Sequence, residues 1–253
     1  MHRLYTLTAS TALALVLPAA AFAELTAAEV WKDWQDYMAS AGYEVTASEA
    51  SAGDILTVSD VTMSMDLSDA TGTGATNVRM SEIIFDENAI SAQSEINVAF
   101  DGVAADDDVD FTQIYDQTEP VMTASGTAGN ITYDYAATQV ALTLDGVETG
   151  GVILTDEVAR LSVVARDVAY VMTNAVGAVR AIEQTISATD LRYAIFFDDP
   201  AGQGTFDMSG TMEGLTFAGA GDLPIGADMQ DVYAMLDAGF HFDGTFGSTK
   251  GGY

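Results

Sequence analysis

Apolar and polar residues alternate with a period of two over most of the chain from about residue 54 onward. The longest such stretch covers residues 90–101, and shorter ones cover 61–67, 131–135, 140–144, 191–197, 206–208 and 240–242. This alternation predicts strands with one apolar face and one solvated face. One-sided strands are typical of antiparallel sheets, because parallel sheets are usually covered on both faces. We therefore predict a mainly β, antiparallel fold of hairpins that forms a curved or partly closed sheet.

The alternation changes phase within the first predicted strand. Leu56 and Val58 occupy even positions, whereas the apolar residues from Val61 onward occupy odd positions. One extra residue in a strand produces such a change, so we predict a β-bulge or turn around residues 59–60. Clusters of Gly and Asp predict hairpin connections at 101–102, 126–130, 145–146 and 200–204.

Helical spacing precedes the strands. Thr26 and Glu29 form a capping-box pattern, and Gly42 is a suitable helix terminator. Between them the apolar residues share one face and the polar residues lie elsewhere: Val30, Trp31, Trp34, Met38 and Ala41 against Lys32, Asp33, Gln35 and Asp36. This pattern predicts an amphipathic helix that packs on the sheet. The two tryptophans are expected to be core anchors; an aromatic platform for a sugar or lipid is the alternative reading.

One or two further helices are predicted. Within residues 155–185 and just beyond, apolar residues are compatible with one helical face: Val171, Ala175, Ala178, Ile182 and Ile186. Residues 228–236 resemble a short helix with Met229, Val232, Tyr233 and Leu236 on one side.

The first 23 residues have the pattern of a secretory signal peptide. An apolar stretch follows His2 and Arg3 and ends in Ala21-Phe22-Ala23, which suits cleavage after Ala23. The apolar run 12–23 is shorter than the roughly 20 residues that a membrane-spanning helix needs. We therefore predict export to the periplasm or the medium, a mature single domain over residues 24–253, and no transmembrane span after cleavage.

Charge and composition exclude several functions. The 253 residues include 38 Asp and Glu against 8 Lys and Arg, which gives a net charge of -30, and there is no Cys. Such a charge repels nucleic acid. The lack of Cys excludes thiol nucleophiles, thiolate metal sites and disulfides. The acidic surface is expected to be a solvated face, although a cationic partner would also fit it.

Metal binding has one candidate in the sequence. Asp106, Asp108 and Asp110 match the opening of a calcium loop, but Phe111 replaces the glycine of the turn and Gln117 replaces the bidentate Glu. A solvated acidic turn is the favoured interpretation. A calcium-steadied module is the alternative. Zinc is not expected, because His241 is the sole histidine after residue 23.

Catalytic motifs are missing from the sequence. No nucleophile elbow, zincin or phosphate-binding glycine loop is present. We therefore predict a protein that is not an enzyme and needs no cofactor. A carboxylate-based hydrolase of envelope glycans is the least implausible enzymatic alternative, because the many acids allow a pair to face each other.

An apolar ligand is the remaining candidate function. Met, Phe and Tyr are numerous, and such residues fill cores but also line adaptable apolar sites. We predict a lipid or another apolar ligand on an inner β-face formed by Ile96, Val98, Phe100, Tyr133, Tyr135, Tyr193, Ile195 and Phe206. A structural module that binds another envelope protein is the alternative.

Several segments resemble a known family. They are the leader that ends at Ala23 and residues 28–35 (AEVWKDWQ), 131–135 (ITYDY), 206–217 (FDMSGTMEGLTF) and 234–240 (AMLDAGF). Together they resemble a family of exported alphaproteobacterial proteins known as domain of unknown function twenty-one twenty-five. The resemblance implies an N-terminal portion of a longer protein and supplies no functional residue. The strand-rich pattern is also similar to envelope proteins that build β-grooves for lipid, which is a likeness of fold.

Overall fold

The computed structural model describes residues 25–66, 75–87, 89–91, 96–104, 107–149, 152–155, 158–198, 202, 204–227 and 232–252, with some strand residues described by backbone alone. Within these residues there are two helices, α1 (Ala27–Ser40) and α2 (Val232–Asp237). The strands are β1 (Glu44–Ala52), β2 (Ile55–Asp66), β3 (Ala75–Asp86), β4 (Ala89–Ser91), β5 (Ile96–Ala104), β6 (Asp107–Thr118), β7 (Val121–Thr127), β8 (Asn130–Thr149), β9 (Val152–Leu154), β10 (Ala159–Val176), β11 (Val179–Asp198), β12 (Thr205–Pro224), β13 (His241–Gly247) and β14 (Lys250–Gly252). The predicted signal peptide, residues 1–23, lies outside the described residues.

All the strands belong to one antiparallel sheet that follows the chain as a meander. The main order is β1-β2-β3-β4-β7-β8-β10-β11-β12-β13. The pair β4 and β5 lies along β3, and the pair β6 and β7 lies along β8, so each pair forms one interrupted long strand. Among the described residues β1 pairs only with β2, and β13 only with β12, so the sheet is open. The predicted mainly β, antiparallel fold with an N-terminal helix is confirmed.

The sheet curves around α1. Trp31 of α1 donates Nε1–H to Glu49 of β1 at 2.7 Å, and Asp33 accepts a bond from Arg180 of β11 at 2.9 Å. Seven strand-to-strand steps separate β1 from β11; at about 4.8 Å per step a flat sheet would place them about 34 Å apart. A helix only about 10–12 Å across can reach both strands only if the sheet bends toward it. The sheet is therefore an open trough. We call the side that faces α1 the inner face and the other side the outer face.

Helix α1 begins with the predicted capping box. The Glu29 amide donates to Thr26 Oγ1 at 3.3 Å, and the Thr26 amide donates to Glu29 Oε2 at 2.9 Å. These two bonds satisfy donors that the first turn of a helix leaves free. The apolar face of α1 then packs on the inner face of the sheet, in a core that includes Leu25, Val30, Trp31, Leu56, Val58, Val61, Ile83, Phe85, Ile131 and Tyr133. Burial of these side chains is the main free-energy gain that holds α1 in the trough.

Inward-facing residues normally occupy every second position of a strand, but this alternation changes phase once in several neighbouring strands. In β2 the buried residues are Leu56, Val58 and then Val61, with Asp60 between them at φ 53°. The predicted bulge at residues 59–60 is confirmed. In β8 the buried residues run to Ala137, and the next inward residue is Val140. A step of three in place of two puts two consecutive residues on the outer face, as in a β-bulge.

These irregularities lie side by side across the sheet. Thr118 and Arg166, which precede Glu119 and Asp167, pair with the same residue of β8, Gln139. Arg166 pairs with Asp190 and Asp190 pairs with Glu213, the residue before Gly214. The left-handed residues of this line are Asp60, Glu119, Asp167 and Gly214, with φ values of 53°, 51°, 47° and 59°. We call this line the seam. Since bulges bend a strand and increase its twist, the seam helps the long strands curve around α1.

Three sequence predictions about local structure are wrong. The described residues within 155–185 contain no helix; most of them belong to the β10–β11 hairpin. The apolar residues there fit a helical face by spacing, but four of them divide between opposite faces of the two strands, and Ala178 lies in the turn between β10 and β11. Residues 101–102 lie inside β5 and residues 145–146 lie inside β8, so neither pair makes a hairpin turn. The turn predicted at 126–130 does connect β7 and β8. Of the turn predicted at 200–204, residues 200, 201 and 203 lie outside the described residues.

The second helix agrees in part with its prediction. It begins at Val232, and residues 228–231 lie outside the described residues. Met235 is buried, whereas Val232, Tyr233 and Leu236 are exposed. No helix in the described part of the chain combines the length and apolar character that crossing a bilayer requires.

Candidate functional site

An apolar cleft of about 630 Å³ lies between α1 and the inner face of the trough, along the seam. Its walls come from α1 and from β2, β3, β6, β7, β8, β10 and β11. Much of the wall consists of pairs of inward-facing residues that are three positions apart in place of two, as in β8. These pairs are Met80 and Ile83, Gln117 and Pro120, and Ala165 and Val168. The phase shift keeps both members of each pair on the inner face. The seam therefore provides an uninterrupted apolar lining where regular strands would turn polar side chains inward.

No described side chain in the lining of the cleft carries a charge. Trp34 and Met38 line it from α1, and Met63, Met122, Val140 and Leu142 from the strands. Besides the indole of Trp34, the polar side chains of the lining carry three tyrosine hydroxyls and two glutamine amides, on Tyr115, Tyr135, Tyr170, Gln117 and Gln184. A largely apolar cleft with a few polar groups is the usual composition of a site for a small molecule.

The polar groups of the cleft are bonded to one another. The Tyr135 hydroxyl donates to Gln117 Oε1, and the Tyr170 hydroxyl donates to Gln184 Oε1 at 3.2 Å. Burial raises the pKa of Tyr115 and, more strongly, the pKa of Tyr135, which the neighbouring Tyr115 raises further. Burial and then the neighbouring Tyr37 raise the pKa of Tyr170 to about 12. All three hydroxyls therefore keep their protons at neutral pH, and Tyr135 and Tyr170 use theirs in the bonds to the two glutamines.

A smaller chamber of about 190 Å³ adjoins the cleft beneath α1. The two spaces share Trp34, Met38, Met122 and Tyr170. The chamber is also lined by Tyr37, Met172 and two members of a buried polar network, Asp33 and Tyr133. The apolar cleft thus ends beside a carboxylate.

That carboxylate is fully engaged within the protein. Asp33 Oδ1 accepts from Arg180 Nη1 at 2.9 Å and from Asn174 Nδ2 at 3.0 Å, and its Oδ2 accepts from Asn174 at 2.8 Å and from Tyr133 at 2.7 Å. Arg180 is 3% exposed and Asp33 is 8% exposed, so both charges are compensated inside the core. Burial and the bond to Asp33 raise the pKa of Tyr133. The network ties α1 to β8, β10 and β11 and leaves no unpaired ion beside the chamber.

The helix prediction is wrong about the position of Asp33. The helical pattern assigned it to the polar side together with Lys32 and Asp36, whereas the structure buries it. One signal in the sequence points to it. Arg180 occupies an inward position in β11, in phase with Ile182, so it needs a buried acid. Trp31 is a core anchor as predicted, while Trp34 forms part of the cleft wall.

The predicted ligand residues fall into three groups. Tyr135 lines the cleft and Tyr133 lines the chamber. Tyr193 and Ile195 are half-buried in β11 beyond the seam. Tyr193 pairs with Val163, which in turn pairs with Leu142 of the cleft wall. Because directly opposed residues point to the same face, Tyr193 is on the inner face, and so is Ile195, two residues later.

The other predicted ligand residues differ in their distance from the cleft: Phe206 lies farther along the trough, whereas Ile96 pairs with Met80 and Tyr115 of the cleft wall. Phe206 is 52% exposed and pairs with Phe197 at the end of β11, away from the cleft. The backbone of β5 places Ile96, Val98 and Phe100 in register with Tyr115, Gln113 and Phe111. The side chains of these three β5 residues lie outside what the structure describes.

The sequence candidates for chemistry do not converge. His241 is 57% exposed, and its Nε2 lies 3.1 Å from Asp243 Oδ2, as expected for a solvated strand histidine. Asp106 lies outside the described residues, and Asp108 and Asp110 are described only by the backbone of β6. Among the side chains that the structure does describe, no three His, Cys, Asp or Glu residues are grouped so that they could hold a metal ion.

Comparisons with known proteins give no match: no family model, no curated protein and no solved structure is similar to this chain. The resemblance to the exported family therefore stays a prediction. The cleft is the feature on which a functional argument can rest.

Proposed function

We propose that this protein is a non-enzymatic component of the cell envelope that binds a lipid or another apolar ligand in the cleft between α1 and the sheet. The observation that carries this proposal is the cleft itself: about 630 Å³ of space with an uncharged, mostly apolar lining in a protein of net charge -30. The volume is within the range of about 300–1,000 Å³ that small-molecule sites occupy.

Energetics favour a filled cleft. An empty apolar space beside a core forfeits the dispersion contacts of its lining, and water gains few hydrogen bonds there. An acyl chain or a fused-ring hydrocarbon would supply those contacts. Its binding would gain about 25 cal/mol of free energy for each Å² of apolar surface removed from water. Helix α1 forms one wall, so the ligand would be held between the helix and the sheet.

The inner face offers apolar surface beyond the cleft. Past the seam, Leu191, Tyr193 and Ile195 alternate with exposed residues of β11 and continue the apolar track toward Phe206. This continuity supports a ligand with an extended hydrocarbon portion, because the tail could lie along the trough.

Uptake of an uncharged fluorophore, N-phenylnaphthylamine, tests the proposal. We expect saturable fluorescence enhancement with the wild-type protein. The Ala165→Phe variant, which fills the cleft from β10, should lose most of it. The Ala169→Phe variant is the matched control, since Ala169 is exposed on the outer face of the same strand. Equal enhancement in both variants, with both folded by circular dichroism, would remove the cleft as the binding site.

Export belongs to the same proposal. We infer a periplasmic or secreted protein, which the leader pattern of residues 1–23 supports. The intact mass of the protein recovered from an exporting bacterial host should correspond to a chain that begins at Glu24. A mass that retains the leader would contradict export by a cleaved signal.

A protein-binding module of the envelope is the second candidate. It is favoured by the exposed apolar residues where β11 and β12 meet far from α1, Phe197, Phe206 and Met208. Native mass spectrometry of gently purified protein separates the two candidates, because a bound lipid adds a small mass and a protein partner adds a large one.

A further inference from the structure

We infer that the cleft selects uncharged lipids that carry a hydroxyl or carbonyl group, and discriminates against fatty acids and other anionic lipids. This inference rests on the proposed function, since it names the ligand class of the same site. It follows from the charges, the hydrogen-bonding groups and the neighbours of the cleft.

The described lining of the cleft offers no counter-ion to an anionic ligand. None of the described side chains that line the cleft is a Lys, Arg or His. A carboxylate that entered it would lose its hydration and gain no cation, and burying an unpaired ion costs several kcal/mol. An alcohol or an ester would lose much less.

The guanidinium of Arg180, close to the chamber, is already engaged by other residues. Arg180 is buried behind the chamber, but its Nη1 is bonded to Asp33 and its guanidinium carbon lies 5.6 Å from the centre of the Tyr37 ring. Asp33 itself lines the chamber that continues from the cleft. An anionic head group in that chamber would therefore meet a carboxylate before it met a free cation. The net charge of -30 adds unfavourable long-range potential for an anion.

Neutral hydrogen-bonding groups are present in the cleft. The hydroxyls of Tyr135 and Tyr170 and the amides of Gln117 and Gln184 line the same apolar space. The tyrosine protons are bonded to the glutamine oxygens, so the hydroxyl oxygens can still accept from a ligand hydroxyl and the amide N–H groups can still donate to a ligand hydroxyl or carbonyl, without any ion. Neutral hydrogen bonds of this kind fix orientation in an apolar site.

Competition between two ligands that differ only in the head group tests the inference. Decanol and decanoate carry the same hydrocarbon chain, and at about pH 8 the decanoate carboxyl is ionised. Each is titrated against N-phenylnaphthylamine bound to the wild-type protein. We expect decanol to displace the fluorophore at a concentration at least about tenfold lower than decanoate, which corresponds to about 1.4 kcal/mol.

The outcomes separate the inference from the proposal beneath it. Equal potency of the two competitors, or stronger displacement by decanoate, would overturn the selectivity and leave the apolar site standing. No binding of the fluorophore and no displacement by either compound would overturn the proposed function, and the inference with it.

A pair of variants then assigns the selectivity to the cleft. Gln184→Lys places a cation in the lining, and Glu183→Gln changes the net charge by the same amount on the exposed outer face of the same strand. We expect Gln184→Lys to strengthen decanoate binding at least about tenfold, because the carboxylate gains a partner ion. Glu183→Gln should leave the preference for decanol unchanged. A similar shift in both variants would show that overall charge sets the preference, and would overturn the role of the lining.

Discussion

Asp33 on α1 and Arg180 on β11 form a buried ion pair across 147 positions of sequence, with Arg180 Nη1 2.9 Å from Asp33 Oδ1. Asn174 and Tyr133 donate to the same carboxylate. The pair joins the one long helix of the described residues to the far wall of the trough. It therefore ties α1 to that wall beside the smaller chamber, which Asp33 lines.

We expect Arg180→Met to lower the free energy of unfolding by about 3–5 kcal/mol, because it leaves the Asp33 carboxylate buried without its cation. Urea denaturation followed by circular dichroism measures the loss. Adding Asp33→Asn to this variant should recover part of the stability, since it removes the uncompensated charge.

Lys32→Met provides the control for that experiment. Lys32 is 71% exposed in an i,i+4 pair with Asp36, so its loss should cost no more than about 0.5 kcal/mol. If Arg180→Met proves as mild as Lys32→Met, the buried pair does not hold α1 in place.

The seam predicts opposite effects for two substitutions of Asp60. Its φ of 53° is left-handed, which glycine adopts without strain and a β-branched residue adopts poorly. We expect Asp60→Gly to leave the melting temperature unchanged or raise it slightly. Asp60→Val should lower stability by about 1–2 kcal/mol. Thr62→Val, in the regular part of β2, should be neutral or stabilising. A loss in Asp60→Gly as large as in Asp60→Val would show that the aspartate side chain, not the backbone, matters there.

Two strand glycines should respond differently to alanine. A Cβ on Gly219 would lie 2.6 Å from Cζ of Phe242 and 2.9 Å from Cζ of Phe217, whose stacked rings have centroids 6.3 Å apart. We expect Gly219→Ala to displace the stack and cost about 0.5–1.5 kcal/mol, with faster hydrogen exchange in β13. Gly146 has nothing within 4 Å of an added Cβ, so Gly146→Ala should be neutral or stabilising. Unchanged exchange in β13 of Gly219→Ala would mean that the ring stack does not anchor this strand.

Alkaline pH should weaken the fold through the cleft tyrosines. The pKa of Tyr170 is about 12 in the folded protein against an ordinary value of 10.0, so the unfolded chain releases this proton first. Its contribution is fully present below about pH 10 and is lost as pH rises toward about 12. The decline of stability with pH above 10 should be shallower in Tyr170→Phe, as urea midpoints at several pH values would reveal. An identical slope in the variant and the wild type would contradict the burial of this hydroxyl.

Local rules predict the parts of this fold that depend on neighbouring residues. The capping box of Thr26 and Glu29 and the phase change at Asp60 are both visible within a few positions of sequence. The burial of Asp33 is not, because its partner lies 147 residues away and only the curvature of the sheet brings the two together. The β10–β11 hairpin resembles a helix in sequence because residues four apart share a face in a strand as they do in a helix, and the turn between the two strands supplies the spacing of three.

The sequence predicts the apolar character of the cleft but only some of the residues that line it. Tyr135 belongs to its wall, as the alternation suggested. Ala165 and Val168 were missed, since a step of three within β10 becomes meaningful only when the neighbouring strands show the same step. Phe206 was expected in the site and lies at the far end of the trough, because alternation assigns a face but not a distance along the strand.

The seam also bears on how such long strands find a single alignment during folding. In a hairpin with strict alternation, a slip of two residues keeps every side chain on its proper face, so the apolar pattern opposes only odd slips. An even slip here would set the left-handed Asp167 against a regular position of β8 and would disrupt the shared step on both strands. The seam thus favours a single register in each hairpin, whereas the alternation alone would allow several.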